Sequence, residues 1–497
     1  MAITAREATW RDAAQGVDLP TEAFIDGACV ASAEGATFTR TNPATGEALA
    51  TITECTAADV DRAVDAAARR FASGEWRNAD PSERKRVLLR FAELIREHAG
   101  ELALLESLDT GKPIAQTTSV DAPACAATIQ WYAETLDKLY DEVAPSGKGS
   151  VITIRREPVG VVAAVVPWNF PLIITSWKIG PALAAGNSVI LKPAEESSLA
   201  GIRLGALAAE AGIPDGAFQV LPGRGHVTGE ALGRHDRVDA IAFTGSTEIG
   251  KRFLNYAGDS NMKRVALECG GKSPQIVTRD CEDLDRAAEA IAWSIWYNQG
   301  ETCHAGSRLL VDRRVRDALL GKVEAWMATF EPGDPLDPAT NMGAMISAEH
   351  LERVQGYLES ARADGATVHG GDRVDHPAGG AYMRPAVITG MTNDMRAARE
   401  EIFGPVLGVI EFDDLDQAIA IANDTHYGLA ASIWTDRISD AHRAAGELRA
   451  GTVWINCYDQ AAVATPFGGY KQSGIGRDRS LHAFDKYTEI KTTWLEL

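Results

Sequence analysis

Positive charge is scarce in this 497-residue chain. It carries 49 Lys and Arg against 69 Asp and Glu, a formal net charge of −20. Nucleic acid and anionic membranes select basic surfaces, so the deficit argues against both as partners. Cysteine is scarce too. The seven (Cys29, Cys55, Cys125, Cys269, Cys281, Cys303, Cys457) are scattered and form no CxxC pair. That excludes a disulfide framework and a zinc site as expectations, and it points to a reducing, cytoplasmic setting. Long apolar runs are also missing. The longest, "VGVVAAVVPWNFPLIITSW", is interrupted by Pro167, Asn169 and Pro171, and it reads as strand, turn and helix rather than a membrane span. The opening "MAITAREATWRDAAQGVDLP" has no apolar signal core. There are no repeats, low-complexity tracts or long linkers. What remains is an ordinary globular composition, 45% apolar and 24% charged. At roughly 100–200 residues per domain, two or three domains are expected.

Short strands joined by Gly and Asn-Pro turns are expected from Phe24 to about Ile52. Helical periodicity then runs from Thr56 to about Ala144, with Thr56 and Asp80-Pro81 as helix starts. After that the pattern alternates. "VGVVAAVV", "NSVILKP", "AFQVLPG", "VDAIAFTG" and "KRVALEC" read as strands. The stretches 171–184, 197–211, "VTGEALGR" and "STEIGKRFLNYA" between them read as helices. Such alternation builds a parallel sheet covered on both faces, which binds ligands at the carboxyl ends of its strands. Beyond "GGKSP" the alternation restarts as a second α/β unit. The tail "YTEIKTTWLEL" alternates like a strand with no partner in its own neighbourhood; it is either an edge strand or one that pairs with another subunit.

Several turns carry chemistry. "GRGHVTG" places Gly225 and Gly229, and "FTGSTEIG" places Phe243, Gly245 and Ser246, between a strand and a helix. Glycine admits close approach by a phosphate, and a helix N-terminus favours its charge. Each turn read singly is also compatible with plain tight turning. "VILKPAEES" ends a strand with Lys192 and Glu195; a carboxylate there suits ribose hydroxyls and repels a 2′-phosphate, leaning towards NAD, with NADP as the alternative. Asn169 of "PWNFP" is a rigidly held amide suited to an oxyanion. Glu268 of "LECGGKSP" precedes two glycines and is a general-base candidate. Cys303 of "NQGETCHAGSR" is the nucleophile candidate, although a free thiol with pKa about 8.5 needs activation. His304 is adjacent, but neighbouring side chains diverge on most backbones. Activation is therefore assigned to a helix terminus or a positively charged cofactor ring.

Taken in order, "PWNFPL", "LKPAEESS", "FTGSTEIG", "LECGGKSP", "NQGETCHAGSR", "EEIFGPV" and "PFGGYKQSGIGR" resemble the NAD(P)-dependent aldehyde dehydrogenase superfamily over nearly the whole chain. "LLESLDTGKPI", "WYAETLDKLY", "GDSNMKRV" and "GRDRSLHAF" are similar to the gamma-glutamyl-gamma-aminobutyraldehyde dehydrogenases of putrescine degradation. The resemblance implies an α/β fold with a Rossmann-type domain (1–145 and 159–270), a catalytic domain (271–478) and an oligomerisation segment (146–158 and 479–497). It implies a hairpin near 149–157 that pairs with the C-terminal strand to build homodimers or homotetramers. Cys303 would attack the aldehyde carbon, and Asn169 with the Cys303 N–H would hold the oxyanion. Hydride transfer to the nicotinamide would leave a thioester, which water activated by Glu268 would hydrolyse. Lys178 would help a proton path. Pro167, Trp168, Lys192, Glu195, Gly225, Gly229, Phe243, Gly245, Ser246, Glu401 and Phe403 would hold the cofactor.

The same resemblance places Asp121, Phe170, Ile174, Trp177, Asp459, Gln460 and Phe467 along the substrate tunnel. The carboxylates Asp121 and Asp459 would receive a cationic amine, which fits a gamma-glutamylamino or omega-amino aldehyde of polyamine catabolism. Each is read equally as solvated loop charge, and each aromatic as core. Glu301 stands where many relatives have Gln, so it is expected to touch substrate or thiol. Cys269 stands where Leu or Ala is usual, which would set a second thiol near Cys303. A broad-range or betaine aldehyde dehydrogenase, a CoA-acylating enzyme, a cofactor-free cysteine hydrolase and a catalytically silent binding protein are the competing readings.

Overall fold

The computed structural model describes residues 9–497, so the first eight positions of the expected 1–145 segment, and with them the start of the opening stretch, lie outside the described residues. Two large sheets and a small arm organise the chain. The first sheet has eight strands. In spatial order they are Ala28–Val30, Ala23–Ile25, Phe218–Val220, Ser188–Lys192, Val161–Val165, Ala240–Thr244, Arg264–Glu268 and Gly474–Ile475. The central five run parallel, and the flanking strands are antiparallel. From Val161–Val165 the chain winds outward one way through two strands, then returns to wind the other way. The reversal leaves a crevice beyond the carboxyl ends of Val161–Val165 and Ala240–Thr244, the switch point at which open α/β sheets bind ligands.

These strands are buried on both faces, as a continuous apolar run demands. The crossover helices Pro171–Ala184, Leu199–Ala211 and Thr247–Gly258 fall where the periodicity expects them. So do the helices Ala57–Ser73 and Pro81–Glu97. The Asp59 carboxylate reaches back to the Thr56 N–H at 3.0 Å, and the Asp80 carboxylate accepts from the Ser82 N–H at 2.8 Å beside Pro81. Helical structure ends sooner than expected: Glu142–Ala144 is a strand.

The second sheet has seven strands, in the order Thr367–Gly370, Ala386–Thr389, Val406–Phe412, Arg308–Asp312, Pro274–Val277, Ala430–Trp434 and Thr452–Ile455. All neighbouring pairs are parallel except the first. One crossing was not anticipated by motif spacing. Gly474–Ile475, from the expected second unit, pairs with Leu267 and Glu268 of the first sheet and ties the units together at Glu268.

The tail finds its partner within the chain. Thr488–Glu496 pairs antiparallel with Ser150–Pro158 from Thr488↔Pro158 to Glu496↔Ser150, and Glu142–Ala144 completes a three-stranded arm. This is the pairing of a hairpin near 149–157 with the C-terminal strand that the resemblance implied, made within one chain. Distance along the chain hid a pairing that folding brings together. Among the described residues, no helix is long and apolar enough to cross a membrane.

Candidate active site

Cys303 stands at the meeting of the two sheets. The helix Leu284–Trp296 is stopped by three consecutive left-handed residues, Asn298 (φ 48°), Gln299 (φ 55°) and Gly300 (φ 72°). Two non-glycine residues in that region store on the order of 1–3 kcal/mol each, a strain that surrounding structure must hold. Hydrogen bonds hold it here. The Asn298 amide donates to the Asn169 carbonyl at 3.0 Å, and the Gly343 N–H donates to Gln299 Oε1 at 2.9 Å.

Asn169 follows the central strand and reaches the same loop. Its Nδ2 donates to the Glu301 carbonyl at 2.9 Å, which leaves the second amide hydrogen uncommitted. Glu268 ends the strand Arg264–Glu268, with Oε1 buried and unpartnered. Burial, then the nearby Asp478, pushes its carboxyl up to about 8. The two glycines after it are sterically required. A Cβ at Gly270 would lie 2.0 Å from Glu401 Oε2, and one at Gly271 would lie 2.6 Å from the Cys303 carbonyl oxygen. "GG" thus admits the Cys303 loop and Glu401. Burial pushes the Cys303 thiol well up, reinforced by the charges of Glu268 and Glu401. Lys178 Nζ is buried and donates to Asp478 Oδ2 at 2.5 Å, with Lys486 on the other oxygen.

The cofactor candidates line the switch-point crevice. Lys192 Nζ lies 3.2 Å from Glu195 Oε2, and the Gly225 N–H donates to Glu195 Oε1 at 3.4 Å. A Cβ at Gly225 would meet nothing within 4 Å, and Gly229 opens the short helix Glu230–Arg234. Ser246 caps the helix Thr247–Gly258, accepting from the Ile249 N–H at 3.3 Å, and Thr244 Oγ1 beside it is buried without a partner. Gly245 packs so tightly on Phe243 that a Cβ would meet its ring at 2.5 Å. Glu401 Oε1 accepts from the Gly271 N–H at 2.9 Å, and burial pushes its carboxyl up to about 7. Pro167 and Trp168 follow the central strand, and the Trp168 ring meets Phe403 edge-on at 5.3 Å. A carboxylate–ammonium pair, an open glycine, a helix N-terminus and an orphaned hydroxyl at strand carboxyl ends fit the donor set of a dinucleotide.

On the other side of Cys303 lies a cavity of about 630 Å³. Phe170, Ile174, Trp177, Asp459 and Phe467 line it as expected, and Trp177 and Phe467 approach to 5.4 Å. Three expected residues are corrected. Asp121 is fully buried, 2.8 Å from Lys112 Nζ, because that ammonium and Glu106 form a closed internal cluster with it. Glu301 is likewise buried, its Oε1 accepting from the Ile346 N–H at 3.0 Å, so it touches neither substrate space nor thiol. Cys269 packs its sulfur against Gly250 in the sheet core, where burial pushes its thiol up to about 12.

Sequence reasoning missed Tyr297, Trp454, Tyr458 and Arg479 as cavity residues. Arg479 is the informative one. Its guanidinium stacks 5.0 Å from Trp177 and 4.9 Å from Phe467, with Nε buried and unpartnered. The signal was present in "GRDRSLHAF", but a charge in a loop motif does not reveal its facing. His304 was misjudged too: its Nδ1 lies 3.7 Å from Cys303 Sγ, and its Nε2 lies 2.8 Å from Asp459 Oδ1.

Comparison with known proteins bears on this geometry. The aldehyde dehydrogenase family profile matches residues 30–493. The aminoacetaldehyde dehydrogenase of Pseudomonas aeruginosa is 50% identical over 481 residues, covering 97% of this chain and 96% of its own. The NADP/NAD-dependent aldehyde dehydrogenase PuuC of Escherichia coli is 49% identical over 490 residues, covering 99% and 98%. Among solved structures, a gamma-glutamyl-gamma-aminobutyraldehyde dehydrogenase of Burkholderia cenocepacia superposes with a TM-score of 0.97 at 53% identity, covering 99% of this chain and 100% of that one. The indole-3-acetaldehyde dehydrogenase AldA of P. syringae, solved as a mutant with NAD+ and IAA, gives 0.97 at 52% identity with the same coverage. The chain belongs to the aldehyde dehydrogenase family, and it is an aldehyde-oxidising enzyme of the aldehyde dehydrogenase fold.

Proposed function

We propose that this enzyme oxidises a gamma-glutamylamino or omega-amino aldehyde to its acid, with Cys303 as nucleophile. The carrying observation is the placement of Cys303 between a crevice suited to NAD(P) and a separate apolar cavity. The thiolate attacks the aldehyde carbon. The free Asn169 amide hydrogen and the Cys303 N–H receive the oxyanion. When bound, the nicotinamide supplies the hydride acceptor. The resulting thioester on Cys303 is hydrolysed by water that Glu268 deprotonates. Lys192 and Glu195 take the adenosine ribose, Ser246 the pyrophosphate and Glu401 the second ribose, with Trp168 and Phe403 as the apolar wall. Lys178 acts through Asp478 on the electrostatics of Glu268.

The substrate class rests on the relatives named for amino aldehydes and on the charges of the cavity. With Asp121 removed, Asp459 is the acid left for an ammonium group, and Arg479 adds a site for an anion. A gamma-glutamyl tail carries both charges, whereas a simple omega-amino aldehyde carries only the ammonium. The aromatic lining favours a second reading, a broad-range enzyme for apolar aldehydes. Reduced-cofactor formation with 4-aminobutyraldehyde, its gamma-glutamyl derivative and an uncharged aldehyde of equal length separates these, each measured with NAD and NADP. A kcat/KM preference for the gamma-glutamyl form that falls in Arg479→Met is expected. Equal turnover of the uncharged aldehyde would reject the amino-aldehyde assignment.

The proposed functional partition is 1–145 with 159–270, 271–478, and 146–158 with 479–497, shifted at its edges because Glu142–Ala144 pairs into the arm and Gly474–Ile475 into the first sheet; a cytoplasmic site is proposed with it. The exposed apolar side chains of the arm, Ile490, Trp494 and Leu495 with Val143, support homo-oligomerisation through that surface.

A further inference from the structure

The thiol of Cys303 has little around it that favours ionisation. Its surroundings are desolvating, and any negative charge on Glu268, Glu401 or Asp459 holds the proton on sulfur. One ring nitrogen stands beside it. Nδ1 of His304 is 3.7 Å from the sulfur, and the opposite ring nitrogen is 2.8 Å from Asp459 Oδ1. A carboxylate only accepts, so Nε2 carries a ring proton, and in that tautomer of the neutral ring Nδ1 presents its lone pair to the thiol.

Each member of this line is held in place. The Tyr458 hydroxyl donates to the His304 carbonyl at 2.5 Å. The imidazole lies edge-on to Phe467, with centroids 5.5 Å apart, and 6.1 Å from Trp454. Asp459 adopts a left-handed backbone, φ 57°, a conformation that Asp tolerates better than most side chains. The charged groups facing His304 are Asp459 itself and Arg479, whose guanidinium lies over Phe467 within the field of the Asp459 carboxylate.

We propose that His304 is the base that takes the Cys303 proton, with Asp459 as its positioning residue. This rests on Cys303 being the nucleophile. The S–H bond breaks and an Nδ1–H bond forms. The sulfur lone pair then attacks the aldehyde carbon, and the carbonyl electron pair moves to the oxygen held by Asn169. Asp459 balances the imidazolium, whose proton returns to solvent after the thioester forms. Glu268 is thereby left free for the water step.

The test reads the thiol without turnover. Iodoacetamide alkylation of Cys303, located by peptide mass mapping, is followed against pH in the full-length enzyme without aldehyde or cofactor. His304→Ala should slow alkylation at neutral pH by about a hundredfold, the scale of a lost general base, and move the profile to higher pH. Asp459→Asn should move it the same way by less. Retained NAD binding reports that each variant is folded. A His304→Ala profile that overlies wild type overturns the proposal. If that variant does not fold, Asp459→Asn, whose side chain is half exposed, carries the test, and an unmoved profile there overturns it. Full activity of Cys303→Ala would instead remove the nucleophile reading, so the two failures are distinguishable.

Discussion

The corrected carboxylate, Asp121, shows what a single side chain does once its surroundings are known. Lys112 lies between Asp121 and Glu106 and sits 3.8 Å from the centre of the Phe170 ring, while Glu106 Oε2 accepts from the Leu172 N–H at 3.1 Å. The cluster anchors the start of the helix that follows Asn169. Removing one partner of a buried charge set costs about 3–5 kcal/mol. Asp121→Ala is therefore expected to lower stability by that amount in denaturant melts, with kcat/KM ratios between aldehydes unchanged. A changed aldehyde preference at unchanged stability would return Asp121 to the tunnel. Glu268 yields a pH prediction. Its carboxyl, held up to about 8, is largely protonated at neutral pH and gains its base form as pH rises. Thioester hydrolysis, followed by stopped flow, should accelerate through about pH 8. In Glu268→Gln that rise should vanish, leaving a burst of reduced cofactor and a slow steady state.

At the scale of elements, the glycine pair after Glu268 couples a strand end to the nucleophile loop. Gly271→Ala sets a Cβ against the Cys303 carbonyl, so the loop must shift. A displacement of about 1 Å at a reacting group lowers rate by about a hundredfold. That loss of kcat, with a near-native melting temperature, is the expected result. The strands and helices of the first sheet were legible in the sequence because their apolar runs are long and bounded by Gly and Pro. "VGVVAAVV" and "VDAIAFTG" fall on Val161–Val165 and Ala240–Thr244. The candidates Cys303, Asn169 and Glu268 stood out on a different ground: each sits at an element boundary with its own turn chemistry. Facing was not legible. Glu301 and Arg479 are charges whose direction depends on partners distant in sequence, Asp121 turns inward to Lys112 in a buried cluster that its own motif does not announce, and His304 is tied to Asp459, far along the chain.

At the scale of the molecule, the arm joins Ser150–Pro158 to Thr488–Glu496 and leaves Ile490, Trp494 and Leu495 exposed. This apolar surface is the proposed association face. Trp494→Asp combined with Ile490→Lys should shift light-scattering mass from oligomer to monomer with the sheets intact. An unchanged mass would separate the arm from assembly. The proposed division of labour also belongs to this scale: the switch-point crevice for the dinucleotide, the cavity of about 630 Å³ for the aldehyde, and Cys303 between them. The most direct test is mass mapping of Glu268→Gln after brief exposure to aldehyde and NAD. The account predicts an acyl group on Cys303 and on no other cysteine. Acylation elsewhere, or full turnover with Cys303 unmodified and replaceable by Ala, would contradict it.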